Sequence, residues 1–215
     1  DSNLSGTLLN TRYSGEYIRF GNAENNLYRI VSHETEGLTK IVSAEPLKSS
    51  GKFIESAFNS NDSVNYSSTS TIGKFLNGEY LNSYVDSSYK NMIEDETTWY
   101  LGTVGLNTSY KLAKYTDANM SSTTSSITNA KVSLLRLGEL MTGQFDRFGN
   151  NTDYWLLTPY NGSFVRIVLS YGNTSDYNYP TGVGGVRPSI NLKSNVVITG
   201  GEGTKNNPFI ITLKN

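Results

Sequence analysis

The sequence predicts a single α+β domain built from antiparallel strands, one or two short helices and long loops. Three observations favour this fold class. Short alternating apolar and polar runs recur between turn residues, one stretch has apolar residues at helical spacing, and the connecting segments are rich in Ser, Asn and Gly. We expect residues 1–12 to form a lead-in, or the stub of a removed N-terminal element, ahead of one domain over residues 13–215.

Three strands are predicted near the N-terminus. Alternating runs cover Glu16–Phe20, Leu27–Val31 and Leu38–Val42, and short polar turns separate them. Because short turns join antiparallel neighbours, we expect a three-stranded meander. Pro46 ends it, since proline cannot donate to a strand ladder.

One clear helix is predicted in the middle of the chain. Lys48–Ser70, rich in Ser and Asn, is expected to be a long loop that buries a few apolar anchors. Helical spacing over Thr71–Leu81 predicts one amphipathic helix with Ser70 or Thr71 as its N-cap. Its two glycines each cost about 1 kcal/mol relative to alanine.

The other predicted elements are short. We expect a low-complexity mobile loop at Ser121–Thr128 and a polar loop at Gln144–Asp153. Helical turns are predicted at Tyr89–Ile93 and Leu137–Met141, and strands at Thr97–Leu101, Ala130–Leu135, Tyr154–Pro159, Phe164–Ser170, Val186–Leu192 and Asn206–Leu213. As an alternative, Val196–Leu213 forms a small terminal β-addition to the same core, with Gly200–Lys205 as a hairpin turn.

The overall charge balance excludes some function classes. Lys and Arg total 18 and Asp and Glu total 19, so no basic stripe supports nucleic-acid binding. No apolar run approaches the roughly 20 residues of a membrane span. A neutral surface rich in Ser, Thr and Asn favours an extracellular location. The chain starts at Asp1 without Met, so we expect a processed fragment that is attached to a membrane only through a missing anchor.

Residue usage also limits the chemistry. The absence of cysteine excludes disulfides, thiolate zinc sites and a cysteine nucleophile. The single histidine, His33, cannot form a multi-histidine metal site and is interpreted as a strand-end residue. We therefore predict no catalytic residues, no metal and no cofactor.

Three residues are predicted to have structural roles. Trp99 and Trp155 lie in strand-like runs and are expected in the core. Pro188 fixes the backbone beside Arg187. The Arg187 guanidinium either locks two loops through carbonyl or carboxylate oxygens or contacts a ligand.

The loop from Tyr171 to Val183 is the predicted ligand-binding segment. It interleaves tyrosines with small polar residues, a pattern typical of adaptable recognition loops. The alternative is an ordinary hairpin loop whose tyrosines cover the core. The candidate ligand-binding residues are Tyr171, Asn173, Asp176, Tyr177, Tyr179 and Arg187.

Several weaker interpretations stay open. Asp146, Asn150, Asn151 and Asp153 offer oxygen ligands to Ca²⁺, but without EF-hand spacing. The acidic run Glu94–Glu96 is expected to be a solvated turn. An intramolecular Lys–Asn isopeptide bond needs a lysine, an asparagine and a buried acid, and the sequence singles out no such set.

Several motifs together resemble a domain family of unknown function from surface and pilin-like proteins of Firmicutes. In chain order they are YIRFG (Tyr17–Gly21), LYRIV (Leu27–Val31), IGKFLNGEYLNSY (Ile72–Tyr84), YKNMI (Tyr89–Ile93), TWYLG (Thr98–Gly102), AKVSLL (Ala130–Leu135), YWLLTP (Tyr154–Pro159), GVRPSINLKSNVVITGGEGT (Gly185–Thr204) and NPFI (Asn207–Ile210). The resemblance implies a C-type-lectin-like fold, similar to that of formylglycine-generating enzymes. Leu157 replaces the arginine of the family's usual motif, so no role of that arginine carries over. The lack of cysteine likewise excludes the oxidase activity.

Together these observations predict a non-enzymatic, extracellular domain of a bacterial surface or pilin-like protein. It would serve in adhesion, with a host or matrix glycan or protein, or another surface or pilus subunit, as partner. The alternatives are an architectural pilus subunit and a carbohydrate-active enzyme, the latter requiring two carboxylates in one cleft.

Overall fold

The computed structural model describes residues 2–105, 127–144, 146–147, 149 and 151–215. Its helices are α1 (Thr71–Leu76), α2 (Glu79–Ser83), α3 (Ser87–Lys90) and α4 (Leu137–Thr142). Its strands are β1 (Tyr17–Arg19), β2 (Leu27–His33), β3 (Thr39–Ser43), β4 (Lys48–Ser49), β5 (Lys52–Phe53), β6 (Glu55–Ala57), β7 (Thr97–Tyr100), β8 (Ile127–Ala130), β9 (Val132–Leu134), β10 (Tyr154–Pro159), β11 (Val165–Val168), β12 (Asp176–Asn178), β13 (Val183–Gly185), β14 (Pro188–Leu192), β15 (Val196–Gly200) and β16 (Ile210–Leu213). Mostly antiparallel strands with a few short helices confirm the α+β class.

The first sheet contains the predicted meander. Its strand order is β1-β2-β3-β14-β9, and every neighbouring pair is antiparallel. Ile30 lies opposite Ile41, and Ile41 lies opposite Ile190. Strands from both ends of the sequence therefore meet at β3, which is buried at all five of its positions.

The second sheet has the order β12-β11-β10-β13-β6. The strand β10 is antiparallel to β11 and parallel to β13. All six residues of β10 are buried, so it has two covered faces. Trp155 and Leu157 pack in the larger hydrophobic cluster and Tyr154 and Leu156 in a second one, as strand alternation requires.

The predicted single helix over Thr71–Leu81 is wrong, because the chain forms α1 and α2 instead. Of the two predicted N-caps, Ser70 is confirmed, since its Oγ accepts a hydrogen bond from the Gly73 amide at 3.4 Å. After α1, the side chain of Asn77 turns back and donates to the Gly73 carbonyl at 2.8 Å. This interaction caps α1, and Gly78, with φ −129° and ψ −92°, then takes the chain out of the helix.

Other boundaries also differ from the predictions. The expected loop over Lys48–Ser70 contains the β4–β5 hairpin and β6, and the expected strand over Ala130–Leu135 is divided between β8 and β9. Of the predicted mobile loop, residues 121–126 lie outside the described residues, and Ile127 and Thr128 belong to β8.

The chain before residue 13 contacts the C-terminal hairpin of β15 and β16. The Gly6 amide donates to the Ile198 carbonyl at 2.7 Å, and the Ile198 amide donates to the Thr7 carbonyl at 2.9 Å. Leu9 is buried in the larger hydrophobic cluster. The lead-in is thus held against β15 by both backbone and core contacts.

Candidate functional site

Both tryptophans lie in the core, and each indole N–H has a partner. Trp155 Nε1 donates to the Ser56 carbonyl at 2.8 Å, and Trp99 Nε1 donates to the Ala130 carbonyl at 2.9 Å. Gly184 lies directly over Trp155, where a Cβ atom would stand 3.0 Å from the indole nitrogen. These contacts join β10 to β13 and β6, and β7 to β8.

Arg187 has the geometry of the loop-locking alternative. It lies with Val186 between β13 and β14, where the chain passes from the second sheet to the first, and it is 1% exposed. Its guanidinium donates to the carbonyls of Ser43 at 2.8 Å, Ala44 at 3.1 Å and Asp146 at 3.2 Å. It also donates to the Tyr154 hydroxyl at 3.0 Å. Pro188 follows as the first residue of β14.

An aromatic patch forms at the edge of the second sheet, and we define it as Tyr160, Phe164, Tyr177 and Tyr179. Tyr160 and Tyr177 stack with ring centroids 4.0 Å apart and an interplanar angle of 18°. The ring centroid of Phe164 lies 4.8 Å from that of Tyr177 and 4.6 Å from that of Tyr179. Tyr177 and Tyr179 remain 40% and 58% exposed. The patch therefore combines fixed ring positions with accessible ring surface.

The local sequence explains how the patch is built. The Asn161 carboxamide oxygen accepts from the amides of Ser163 and Phe164, which closes the β10–β11 turn between Tyr160 and Phe164. The Arg166 guanidinium lies 4.6 Å from the Tyr160 ring centroid. Arg166 is itself buried and donates to the carbonyls of Val104 and Ser175. The fixed Arg166 guanidinium therefore packs against the Tyr160 ring and helps to hold the patch in place.

The other predicted ligand residues of this segment shape its backbone. The Asn173 carboxamide oxygen accepts from both the amide and the hydroxyl of Ser175, and an Asp176 carboxylate oxygen accepts from the Tyr177 amide at 2.8 Å. Tyr171 lies on the turn after β11 and is 72% exposed. Contrary to the expected uniform loop, this segment contains β12 and the start of β13.

A polar cleft of about 470 Å³ is the second candidate site, and the sequence did not predict it. Glu34 and Glu36 line it from the β2–β3 connection, and Glu94 and Glu96 line it from the segment before β7. Tyr100 also lines the cleft. The acidic run at residues 94–96 therefore contributes to a concave surface.

Lys40 and Arg136 also line the cleft, and both contact the buried carboxylate of Glu139. Lys40 Nζ lies 2.8 Å from Glu139 Oε2 and 3.1 Å from Glu34 Oε1, and the Arg136 amide donates to Glu139 Oε1 at 3.0 Å. Burial lowers the pKa of Lys40, but the Glu139 and Glu34 carboxylates outweigh it and hold that pKa above its usual value. Burial raises the pKa of Glu139, but Lys40 and Arg136 outweigh it and hold that pKa below its usual value. Both groups are therefore charged at neutral pH.

A sequence signal for this network exists. Lys40 lies inside the apolar run LTKIV. Because β3 is buried at all five positions, the lysine side chain is buried with its apolar neighbours. Glu139 follows Arg136 by three residues, which is the spacing of a capping box. Neither signal shows that the two groups meet, because 99 residues separate them in sequence.

Two of the weaker candidate calcium ligands, Asp146 and Asp153, bind other groups of the protein. An Asp146 carboxylate oxygen pairs with Arg29 at 3.1 Å, Asp153 accepts from the Ser170 amide at 2.6 Å, and Asn150 lies outside the described residues. The described ranges contain no group of three His, Cys, Asp or Glu residues placed to hold a metal ion. His33 ends β2, with one ring nitrogen on the Arg12 carbonyl.

The fold and these surfaces define an α+β domain with an exposed aromatic patch and a separate polar cleft. Within the described ranges, no helix has the length and apolar character needed to cross a bilayer. The chain belongs to the family described as domain of unknown function DUF6273, whose sequence profile matches residues 38–194. That segment contains the patch and most of the cleft. No curated protein and no solved structure matches the chain significantly.

Proposed function

We propose that this chain is a non-enzymatic, extracellular binding domain of a bacterial surface or pilin-like protein, which contacts a glycan or protein partner through the aromatic patch. The observation that carries the proposal is the exposure of Tyr177 and Tyr179 within a packed set of rings. Tyrosine has only two side-chain torsions, so it presents a large contact area at low entropic cost. Solvent-exposed aromatic area of this kind is typical of interaction surfaces.

The polar groups around the patch suit such a role. Asn173, Asp176 and Asn178 alternate with the tyrosines, and their oxygens hold the backbone through short local bonds. A backbone fixed before binding reduces the entropy lost on association. The ring edges and hydroxyls then offer both apolar stacking and hydrogen bonding, which sugars and peptides can use equally.

The proposed location and finer fold rest on the sequence. The composition, with 17% charged residues and no cysteine, fits a neutral extracellular surface. The ordered motifs support assignment to a surface family of Firmicutes with a C-type-lectin-like arrangement. In such an arrangement, Trp155 on buried β10 and Arg187 between β13 and β14 would hold the tyrosine-bearing segment in place.

Glycan and matrix-protein arrays, followed by calorimetry on any ligand found, test this proposal. We expect Tyr177→Ala and Tyr179→Ala each to weaken binding at least tenfold. Tyr13→Ala is the matched control, because Tyr13 is 69% exposed and lies outside the patch. A ligand whose affinity is equally insensitive to all three substitutions would place binding elsewhere. No binding to any array, with fibres that fail to assemble when the domain is deleted, would favour the architectural alternative.

The polar cleft supports a second candidate, a carbohydrate-active enzyme. Carboxylates from two separate segments, Glu34 and Glu36 and then Glu94 and Glu96, line one cleft beside Tyr100. Glycoside hydrolysis needs two carboxylates, one of which stays protonated as the general acid. Glu139, which lies behind Lys40 of the cleft, has a lowered pKa and so does not supply that protonated acid. Release of reducing sugar from a polysaccharide panel, abolished by Glu94→Gln or Glu96→Gln, would establish this candidate.

A further inference from the structure

Lys40 and Asn191 are direct cross-strand neighbours on β3 and β14. Side chains directly opposite each other on one face of an antiparallel pair have Cβ atoms about 4.5–5.5 Å apart. The lysine amine is carried on four methylene groups, so it can reach the asparagine carboxamide without any movement of the backbone. Lys40 is 7% exposed and Asn191 is 3% exposed, and both line the polar cleft.

The amide group of Asn191 is only partly satisfied. Its nitrogen donates to Thr97 Oγ1 at 2.9 Å. Its oxygen is buried and has no hydrogen-bond partner among the described residues. An unpartnered buried carbonyl is unfavourable, and such groups in folded proteins usually mark a missing interaction or a chemical role. Because Asn191 and Lys40 are directly opposite in the register, their side chains project from the same face of the sheet.

Lys40 Nζ has a carboxylate and an aromatic ring as neighbours. The Glu139 carboxylate is 2.8 Å from Lys40 Nζ, and Glu139 is 2% exposed. The Trp99 ring covers the amine, with its centroid 4.8 Å from Nζ. Glu139 can therefore exchange a proton with Lys40 directly along their 2.8 Å hydrogen bond. Such exchange is the general acid–base assistance that amide exchange between the two side chains needs.

We propose that Lys40 and Asn191 condense spontaneously to an intramolecular isopeptide bond, with Glu139 as the proton carrier. A proton first passes from Lys40 Nζ to the Glu139 carboxylate along their hydrogen bond. The neutral amine attacks Asn191 Cγ, and a new N–C bond forms. Glu139 gives this proton to the leaving nitrogen as the Cγ–Nδ2 bond breaks, and its carboxylate then takes the second proton from the attacking nitrogen. The new amide is neutral, and the departing ammonia carries that second proton away from Glu139 as ammonium. No oxidant or cofactor is consumed.

The protonation state of Lys40 limits the rate at which the isopeptide bond forms. Lys40 is held protonated by Glu139 and Glu34, so the reactive neutral amine is a minor species. The reaction is therefore slow, but it occurs once per molecule. The bond would join β3 to β14 covalently, and these strands form the centre of the first sheet. The bond would not involve any residue of the aromatic patch.

Intact-mass spectrometry of the purified, denatured protein tests the inference. We expect a mass below the sequence mass by one ammonia, together with a tryptic species in which the peptides containing Lys40 and Asn191 are linked. A mass equal to that of the sequence would overturn the proposal. So would a deficit mapped to Asn77–Gly78 or Asn161–Gly162, where asparagine before glycine can lose ammonia as a succinimide.

Two variants separate the chemistry from folding. Glu139→Gln keeps a hydrogen-bonding side chain of the same size but cannot carry the proton, so we expect the full sequence mass. Lys48→Met is the matched control, since Lys48 pairs with exposed Glu45 at 3.1 Å, and it should retain the deficit and the linked peptide. If Glu139→Gln fails to fold, the intact mass of the wild-type protein still tests whether the Lys40–Asn191 bond is present. A linked Lys40–Asn191 peptide in a folded Glu139→Gln protein would overturn the role of Glu139.

Discussion

The side chain of Asn77 pairs with both backbone groups of Val132. Its carboxamide oxygen accepts from the Val132 amide at 2.9 Å, and its nitrogen donates to the Val132 carbonyl at 3.0 Å. The same oxygen accepts from the Lys131 amide at 3.1 Å. Asn77 thus caps the end of α1 and also binds the backbone at residues 131 and 132, where β8 ends and β9 begins.

We predict that Asn77→Ala destabilises the domain by about 2–4 kcal/mol. The substitution removes the side-chain acceptor of the Lys131 and Val132 amides, and each such group costs about 1–3 kcal/mol before relaxation. Asn82→Ala is the control, because Asn82 is exposed on α2. Urea denaturation gives both free energies of unfolding. Equal values for the two variants would show that the Asn77 contacts contribute little to stability.

We predict that Gly73→Ala destabilises the protein although glycine is a poor helix former. In an exposed helix this change stabilises by about 1 kcal/mol. Here a Cβ atom at residue 73 would stand 1.8 Å from the Ser67 carbonyl oxygen, so the loop before α1 must move. Gly162→Ala, where the added Cβ meets nothing within 4 Å, is the control. A rise in melting temperature for Gly73→Ala would contradict the packing argument.

These two residues illustrate what the sequence could and could not reveal. Helical spacing and the Ser70 cap identified the start of α1, because both are local signals. The end of the helix depends on β9, which is more than 50 residues away in sequence, so no local pattern could place it. Gly73 counted against the helix in the sequence, whereas the close approach of Ser67 explains why glycine occupies that position.

The same distinction applies to the candidate sites. Tyrosine interleaved with asparagine indicated the Tyr177 and Tyr179 part of the patch, because that pattern is local. Tyr160 and Phe164 come from the preceding hairpin and join the patch only through the pairing of β11 with β12. Similarly, Lys40 and Asn191 meet only because β14 pairs with β3. The sequence predicted the N-terminal meander but not the pairing of β14 with β3 or of β11 with β12, and these two pairings bring the groups together.

We predict that the protein loses stability at alkaline pH through its buried tyrosines. Burial raises the pKa of Tyr28, Tyr66, Tyr80 and Tyr154 above the ordinary tyrosine value. The unfolded chain therefore loses these protons near pH 10, while the folded state keeps them. Their stabilisation is complete below about pH 10 and is lost as the pH rises towards the folded pKa values, by up to about 1.4 kcal/mol per pH unit for each tyrosine.

Denaturant titrations between neutral and alkaline pH, with tyrosinate absorbance followed in parallel, measure this loss. Tyr28→Phe keeps the ring but removes one titrating hydroxyl, so its stability should fall less steeply with pH than that of the wild type. If the absorbance showed these tyrosines ionising near pH 10 while the circular dichroism stayed native, their hydroxyls would be accessible and the prediction would be wrong.

We predict that Arg187→Lys lowers the stability of the domain without weakening ligand binding. Lysine carries a point charge and cannot reproduce the planar set of donors that joins the carbonyls of Ser43, Ala44 and Asp146. We expect a loss of about 2–4 kcal/mol in unfolding free energy. Hydrogen exchange should also be faster at the end of β3. Arg147→Lys, at an exposed position, serves as the control and should change neither quantity.

Binding by the same variant decides between the two roles considered for Arg187. Its guanidinium is buried against protein oxygens, whereas the aromatic patch lies on the β11–β12 edge of the other sheet. Affinity per folded molecule should therefore stay within a factor of two of the wild type. Tyr177→Ala should show the reverse behaviour, a large loss of affinity with a smaller change in stability of about 1–2 kcal/mol from its lost contacts with Tyr160 and Phe164. If Arg187→Lys abolished binding while stability was unchanged, Arg187 would be a ligand contact and the role of the patch would have to be reassigned.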